Sequence, residues 1–200
     1  MPPRPVLVAA DEEHLSERLG LFVIVVLGEG LIQIVTAAGG IDWDAEVYVV
    51  AGCSFLILVS LWWLSLERGD NGLPMLSRGA LPVRLSLLLH WLFSGALVAL
   101  AIVLGEAVTE ADAGLARAPR LLVTGALMLC LLVLAASSLA SGRRLAVVFV
   151  SVLPGVAVLA AVALPHGDVS SVAVLPLLTA AVVWPVLHAV ARERASAQAG

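Results

Sequence analysis

The stretch "FVIVVLGEGLIQIV", Phe22–Val35, is apolar except for one glutamate, Glu29, one glutamine, Gln33, and two glycines. With its flanks it forms a mostly apolar segment of 20 residues, Leu19–Ala38. A helix of about 20 apolar residues spans the hydrocarbon core of a bilayer. The stretch therefore predicts a transmembrane helix with an ionisable side chain near its middle.

Composition extends this prediction to the whole chain. Its 200 residues are 61% hydrophobic and 13% charged, with a mean hydropathy of +1.06. A typical soluble domain is about half apolar and a quarter charged, so lipid must be the solvent for most of this chain. Cys53 and Cys130 lie in apolar runs without metal-site spacing, and we expect both to pack as small core residues.

Several function classes are not expected from the motifs. The basic residues are all arginine, and they form no stripe or cluster of the kind that nucleic-acid binding requires. The sequence contains no Gly-rich phosphate loop, zinc motif or nucleophile elbow. We therefore predict no cofactor, no metal, no nucleic-acid partner and no enzymatic activity.

Six apolar stretches are long enough to cross a bilayer, and turn-forming residues separate them. The sequence predicts an all-α, polytopic transmembrane helix bundle over 19–191, with a short N-terminal segment over 1–18 and a tail over 192–200. The last two spans follow each other closely and are expected to form a hairpin. The spans are Leu19–Ala38, Glu46–Leu66, Val83–Gly105, Pro119–Ala140, Leu145–Leu164 and Val169–Ala191.

The arginines predict an orientation, because cytoplasmic loops carry an excess of basic residues. With the N-terminus inside, only Arg117 and Arg120 fall in external loops. An even number of spans then puts both termini in the cytoplasm and makes the chain a multi-pass protein of the bacterial plasma membrane. The cytoplasmic arginines are Arg4, Arg18, Arg68, Arg78, Arg84, Arg143, Arg144, Arg192 and Arg194.

Prolines interrupt the last two predicted helices at Pro154, Pro176 and Pro185. One interpretation is ordinary kinks, which membrane helices tolerate because neighbouring groups satisfy the freed carbonyls. The other is a hinge or broken helix that lines a cavity. The sequence leaves both open.

Glu29 lies about 15 Å along its helix, where an unpaired charge in lipid costs several kcal/mol. Helical spacing puts Arg18, Phe22, Gln33 and Thr36 on the same side of the helix as Glu29, and we call this set the polar seam. The seam is predicted to face protein rather than lipid. Two interpretations of Glu29 remain open: a carboxyl that fixes helix packing through a hydrogen bond, and an ion or proton site.

The third span offers polar side chains that match the seam. Ser86, His90 and Ser94 recur at four-residue spacing and are predicted to face it. His90 is either a hydrogen-bond partner between helices or a proton relay. The phrase "VLGE" returns at 103–106, and Glu106 there is interpreted as a solvated helix end. The candidate site is therefore Arg18, Glu29, Gln33, His90 and Ser94.

The stretch "ERLGLFVIVVLGEGLIQIV", Glu17–Val35, resembles a signature of the bacterial low temperature requirement A family. "LWWLSL", Leu61–Leu66, and the third span with His90 are also similar to that family. The resemblance implies that the matching positions are signature residues. They are Glu17, Arg18, Gly20, Leu21, Phe22, Gly28 and Glu29.

The resemblance starts at Glu17 and corresponds to the second half of the family pattern. It implies a half-length member that works as a homo-oligomer, a partner of a separately encoded half, or the product of a truncated gene. The family name implies a role in growth in the cold and no particular reaction, so the resemblance assigns no substrate.

Three functional hypotheses follow. The first is a transporter or channel component for a small ion or solute, based on the polar seam. The second is a non-transporting membrane scaffold or stress-associated subunit, because Gly95 and Ala99 allow close helix contact. The third is an intramembrane enzyme, for which Glu29 and His90 are the only candidate pair and a third catalytic group is missing.

Overall fold

The computed structural model describes residues 6–67 and 81–198, with side chains described for 17–65 and 81–198. Within these residues six helices are long and apolar enough to cross a membrane, which confirms the predicted transmembrane bundle. A π-helical turn, Trp63–Glu67, continues the second helix. The helices are α1 Val6–Gly39, α2 Ala45–Trp62, α3 Val83–Thr109, α4 Arg117–Ala140, α5 Leu145–Ala163 and α6 Ser171–Gln198.

Two helices extend beyond the predicted spans. α1 begins at Val6 rather than at Leu19, and α6 continues past Ala191 to Gln198. Hydropathy marks only the part of a helix that suits lipid, whereas Ala, Glu and Arg prolong a helix in water as good helix formers. The described parts of 1–18 and 192–200 therefore continue α1 and α6. Arg4, Arg68, Arg78 and the predicted turn between the second and third spans lie outside the described residues.

The helices form a closed ring in which α1 contacts α3, α3 contacts α4, α4 contacts α5, α5 contacts α6, α6 contacts α2, and α2 returns to α1. The contact between α5 and α6 confirms the predicted hairpin. A Cβ atom built on Gly155 of α5 would lie 2.5 Å from the carbonyl oxygen of Ala181 in α6. The two helices thus approach so closely that only glycine fits between them.

The bundle has two distinct ends. We call the end where α1 begins and α6 finishes the termini end, and the other the strand end. At the strand end two short strands, β1 Gly114–Leu115 and β2 Val169–Ser170, pair antiparallel. They join the α3–α4 loop to the α5–α6 loop, and Ser171 Oγ adds a hydrogen bond to the Ala113 carbonyl at 3.1 Å.

Local chemistry sets the turns between the helices. Asp44 caps α2, with Oδ1 accepting a hydrogen bond from the Val47 amide at 2.9 Å. Next to it the rings of Trp43 and Tyr48 lie 4.8 Å apart, an aromatic pair of the kind found at membrane interfaces. Gly142, with φ of +81°, makes the turn from α4 to α5, because only glycine adopts this conformation without strain.

The inside of the ring is a continuous apolar core. Leu61, Leu100 and Leu127 are completely buried in it, while Val25, Ile32 and Ile102 are exposed on the outside. Large aliphatic side chains on the outer surface are what a bundle in lipid requires, since lipid tails are as apolar as the side chains. Cys130 lies in the core as predicted, and Cys53 is half-buried against it.

Candidate functional site

The contact between α1 and α3 holds most of the predicted site. Gly30 of α1 faces Ala101 of α3, Gly105 of α3 packs on Gln33, and the rings of Phe22 and His90 lie 6.1 Å apart. These contacts advance in the same direction along both helices, so α1 and α3 run parallel. The polar seam of α1 and the serine–histidine face of α3 therefore border the same contact.

Glu29 lies at the middle of the membrane-spanning part of α1. It is 12 residues from Glu17 and 10 from Gly39, the limits of that span. Gln33 Nε2 donates a hydrogen bond of 2.7 Å to Glu29 Oε1, which is the four-residue pairing expected within one helix. Both side chains are exposed on the outside of the bundle.

Glu29 does not face another helix of the described chain, and its predicted contact with protein rather than lipid stays a prediction. Successive residues of a helix are turned by about 100°, and the buried residue next to Glu29 is Gly30, which contacts both α2 and α3. Glu29 is thereby turned out of the ring. The sequence pattern identified the polar seam as one side of α1 but did not determine which side the neighbouring helices cover.

His90 and its serine neighbours are buried, unlike Glu29. His90 Nε2 lies 3.3 Å from Ser94 Oγ, a hydrogen bond in which either group donates according to the tautomer. His90 Nδ1 and Ser86 Oγ have no hydrogen-bond partner among the described residues. Buried polar atoms without a partner are uncommon and costly, so the inner part of the α1–α3 contact can accept a further polar group or a water molecule.

The structure does not bring the whole predicted site together. His90 is level with Phe22, and Phe22 is seven residues before Glu29, which is about 10 Å along the helix axis. Arg18, which is exposed, lies further still from Glu29. The site thus divides into an exposed Glu29–Gln33 pair at mid-depth and a buried His90–Ser94 pair nearer the termini end.

Sequence reasoning missed Arg120, which was expected to be an external loop residue. Its side chain has no exposed surface. Nη1 donates to the Gly167 carbonyl at 2.8 Å and to the Leu115 carbonyl at 3.4 Å, and Nη2 donates to the Pro165 carbonyl. Arg120 therefore links the two loops of the strand end through backbone oxygens. Because every residue has such an oxygen, no sequence pattern identifies these partners.

A second missed feature is a cavity of about 80 Å³ between α4, α5 and α6 near the termini end. Ser137 Oγ donates to the Val133 carbonyl at 2.8 Å and Ser141 Oγ to the Ser137 carbonyl at 2.9 Å, so both oxygens keep lone pairs free to accept. Arg143 and Pro185 also line the cavity. The corresponding signal in the sequence was the group of serines in "SSLASG", residues 137–142. The hydroxyl groups of these serines can bind water in the cavity.

Metal binding finds no support in the described part of the chain, where no three His, Cys, Asp or Glu side chains come close enough to hold an ion. Glu106, interpreted as a solvated helix end, is exposed in the last turn of α3.

Comparison with known proteins gives a family. The sequence model described as bacterial low temperature requirement A protein (LtrA) matches residues 3–190. No curated protein and no solved structure matches the chain. The resemblance predicted from Glu17–Val35 is confirmed, and the match covers most of the chain.

Proposed function

The chain belongs to the bacterial low temperature requirement A protein (LtrA) family, and from this premise we propose that it is a subunit of a plasma-membrane assembly that moves a small ion or solute. The chain is an integral membrane protein, and its described residues include six helices long and apolar enough to span a membrane. The single observation that carries the proposal is the exposed Glu29–Gln33 pair at mid-depth of α1.

The position of Glu29 requires another polar surface. A carboxylate at the bilayer centre costs roughly 3 kcal/mol or more on insertion scales when it faces lipid. One hydrogen bond from Gln33 offsets part of that cost, since a bond to a charged group contributes about 1.5–3 kcal/mol. The remainder is removed if a second polypeptide covers this face of α1, either another copy of the chain or a separately encoded partner half.

An acidic side chain at a contact between subunits suits ion or proton movement. Such a carboxylate binds and releases a cation or proton as its surroundings change, and intramembrane ionisable groups commonly mark these pathways. The buried His90–Ser94 pair lies about 10 Å from the level of Glu29, on the side of the termini end. In the proposed pathway it is a relay between Glu29 and the termini end.

The scaffold hypothesis is favoured by a different observation. Gly95 on α3 is exposed, and a Cβ atom built there meets nothing within 4 Å, while Ala99 one turn further is half-buried. Small residues on the outside of a membrane helix allow another helix to pack closely. A subunit that only holds a partner in place needs this face and does not need the charge of Glu29.

The enzyme hypothesis receives no such support. His90 and Glu29 lie at different depths, so the nucleophile–base pair that catalysis requires is not assembled within the described residues. The proposal assigns no chemical reaction to the chain.

Flux measurements in reconstituted vesicles test the proposal. Glu29→Gln keeps the size of the side chain and a hydrogen bond to Gln33 while removing the charge. We expect it to lower cation or proton flux at least tenfold, or to abolish its pH dependence, with unchanged helix content and size-exclusion profile. The matched control is Glu106→Gln, which changes the exposed glutamate of the second "VLGE" phrase and should leave flux intact. Wild-type flux in Glu29→Gln contradicts the transport proposal.

Cross-linking tests the contact itself. In a variant without Cys53 and Cys130, Ile32→Cys is placed on the outer surface of α1, where the native side chain is 59% exposed. We expect a maleimide–benzophenone linker attached to this cysteine to cross-link on illumination in native membranes, at twice the mass of the chain for a homo-oligomer and at another mass for a partner half, because benzophenone inserts into C–H bonds and needs no cysteine on the partner. Leu153→Cys, on α5 across the ring from α1, is the control that should stay monomeric. An Ile32→Cys chain that stays monomeric contradicts the proposed contact.

A further inference from the structure

An arginine-lined pocket lies at the termini end, apart from the α1–α3 contact. It is open, has a volume of about 410 Å³ and lies between the α4–α5 turn and the last turns of α6. Arg143, Arg144 and Arg192 line it together with Glu193 and Ser196. Three positive charges and one negative charge give these residues a net charge of +2.

The start of α5 adds to the positive potential. Arg144 occupies the N-cap position, and its side chain makes no capping hydrogen bond. The first amide groups of a helix have no partner within the helix, and they carry its partial positive charge. Val147, in the first turn of α5, forms part of the pocket wall, so this end of α5 borders the pocket.

The guanidinium groups are available to a ligand. Among the residues that the structure describes, no hydrogen bond or ion pair engages the side chains of Arg143, Arg144 or Arg192, whereas Glu193 has an interaction of its own. Arginine binds phosphate oxygens through a planar fork of N–H donors. Arginines from the α4–α5 turn and from α6 around one concave surface therefore match a phosphate group.

The surface next to the pocket identifies the source of that phosphate. Val150 follows Val147 by about one turn on the same side of α5 and is 54% exposed, and Trp184 of α6, 43% exposed, donates a hydrogen bond from Nε1 to the Val150 carbonyl at 3.1 Å. Together they form an apolar strip along the α5–α6 contact that continues from the pocket toward the middle of the bilayer. A free anion has no apolar part that could bind this strip, whereas the acyl chains of a lipid whose headgroup occupies the pocket would lie along it.

We propose that this pocket binds the phosphate group of an anionic phospholipid of the leaflet at the termini end. The headgroup lies between Arg143, Arg144 and Arg192, and the acyl chains follow the α5–α6 contact. Basic pockets between transmembrane helices are a known mode of binding to anionic headgroups. The site is independent of Glu29, and its test does not depend on whether the chain transports anything.

Lipid titration of the purified full chain in detergent, followed by native mass spectrometry, tests the proposal. We expect phosphatidylglycerol to bind at least tenfold more tightly than phosphatidylcholine with the same acyl chains. The triple variant Arg143→Gln, Arg144→Gln, Arg192→Gln should lose that preference. Arg84→Gln, which removes an exposed arginine from the first turn of α3 at the same end, should keep it.

A second variant covers the case in which the triple variant does not fold. Ser196→Glu leaves the arginines in place and adds a negative charge to the pocket wall, so phosphatidylglycerol binding should fall about tenfold in a chain with wild-type thermal stability. Equal binding of the two lipids overturns the proposal, as does an equal loss in Arg84→Gln, which would indicate general surface charge. Displacement of the lipid by an equal concentration of inorganic phosphate would assign the pocket to a free anion and also overturn it.

Discussion

The charged guanidinium of Arg120 is buried away from water, since its side chain has no exposed surface. Its donors bind backbone carbonyls just beyond the end of α5, at Pro165 and Gly167. Nη1 and Nη2 thus bind peptide oxygens rather than a carboxylate, a geometry that depends on the fork of a guanidinium, while Nε has no hydrogen-bond partner among the described residues.

Replacing Arg120 should destabilise the chain. Arg120→Gln removes the donor to the carbonyl of the buried residue Leu115 as well as the donors to the Pro165 and Gly167 carbonyls, and we expect the free energy of unfolding to fall by about 3 kcal/mol. Arg117→Gln, one turn earlier and exposed, should change it by less than about 0.5 kcal/mol. Thermal unfolding in detergent, followed by tryptophan fluorescence, measures both. Equal midpoints for the two variants would show that the loop contacts of Arg120 contribute nothing.

Glu29 and Arg120 show what the sequence reveals about single residues. Glu29 was found because a charge in an apolar run is visible by inspection, and its bond to Gln33 follows from four-residue spacing. The direction in which Glu29 points depends on which helices contact α1, and sequence periodicity does not contain that information. Arg120 was missed because its partners are carbonyl groups 45 and 47 positions away, which every residue possesses.

At the scale of elements, the α5–α6 hairpin depends on one glycine. A Cβ atom at Gly155 would lie 2.5 Å from the Ala181 carbonyl oxygen and 3.1 Å from Leu131 Cδ1. The oxygen belongs to the backbone of α6 and cannot rotate away, so any side chain at Gly155 forces the helices apart. The prolines of both helices, Pro154, Pro176 and Pro185, remain within continuous helix, as the interpretation of tolerated kinks requires.

The close approach gives a prediction with a matched control. Gly155→Ala should lower the free energy of unfolding by about 1–3 kcal/mol through overpacking. Gly125→Ala, also inside a helix but with nothing within 4 Å of the added Cβ, should be neutral or stabilising by up to about 1 kcal/mol. Chemical denaturation in mixed micelles separates the two. A Gly155→Ala variant as stable as Gly125→Ala contradicts the packing argument.

Hydropathy predicted the helices well because a segment in lipid must form all its backbone hydrogen bonds within the protein, and a long apolar helix does so by itself. It therefore gave the number of helices and the positions of α2 to α5 to within a few residues. It did not give the true ends of α1 and α6, since polar helix formers continue these helices beyond the bilayer. It also did not predict β1 and β2, two strands of two residues each, which are too short to form a pattern.

For the whole molecule, the two ends of the bundle differ in construction. The strand end is closed by the β1–β2 pair and by Arg120, whose guanidinium binds loop carbonyls, while Arg117 at the same end is exposed. The termini end carries the arginine pocket and the serine cavity, and both use Arg143. This asymmetry agrees with the charge distribution that predicts both termini in the cytoplasm. The ring joins the ends through apolar contacts and exposes the mid-depth charge of Glu29 on the outside.

Cysteine labelling tests the predicted orientation of the whole molecule. Cys53 and Cys130 are first replaced by alanine, and Asp42→Cys at the strand end is compared with Ala195→Cys at the termini end. In right-side-out vesicles, we expect a membrane-impermeant maleimide to modify only Asp42→Cys, because the first external loop holds acidic residues and no arginine. Permeabilised vesicles should show both labels. Modification of only Ala195→Cys before permeabilisation would invert the assigned orientation and move the proposed lipid site to the outer leaflet.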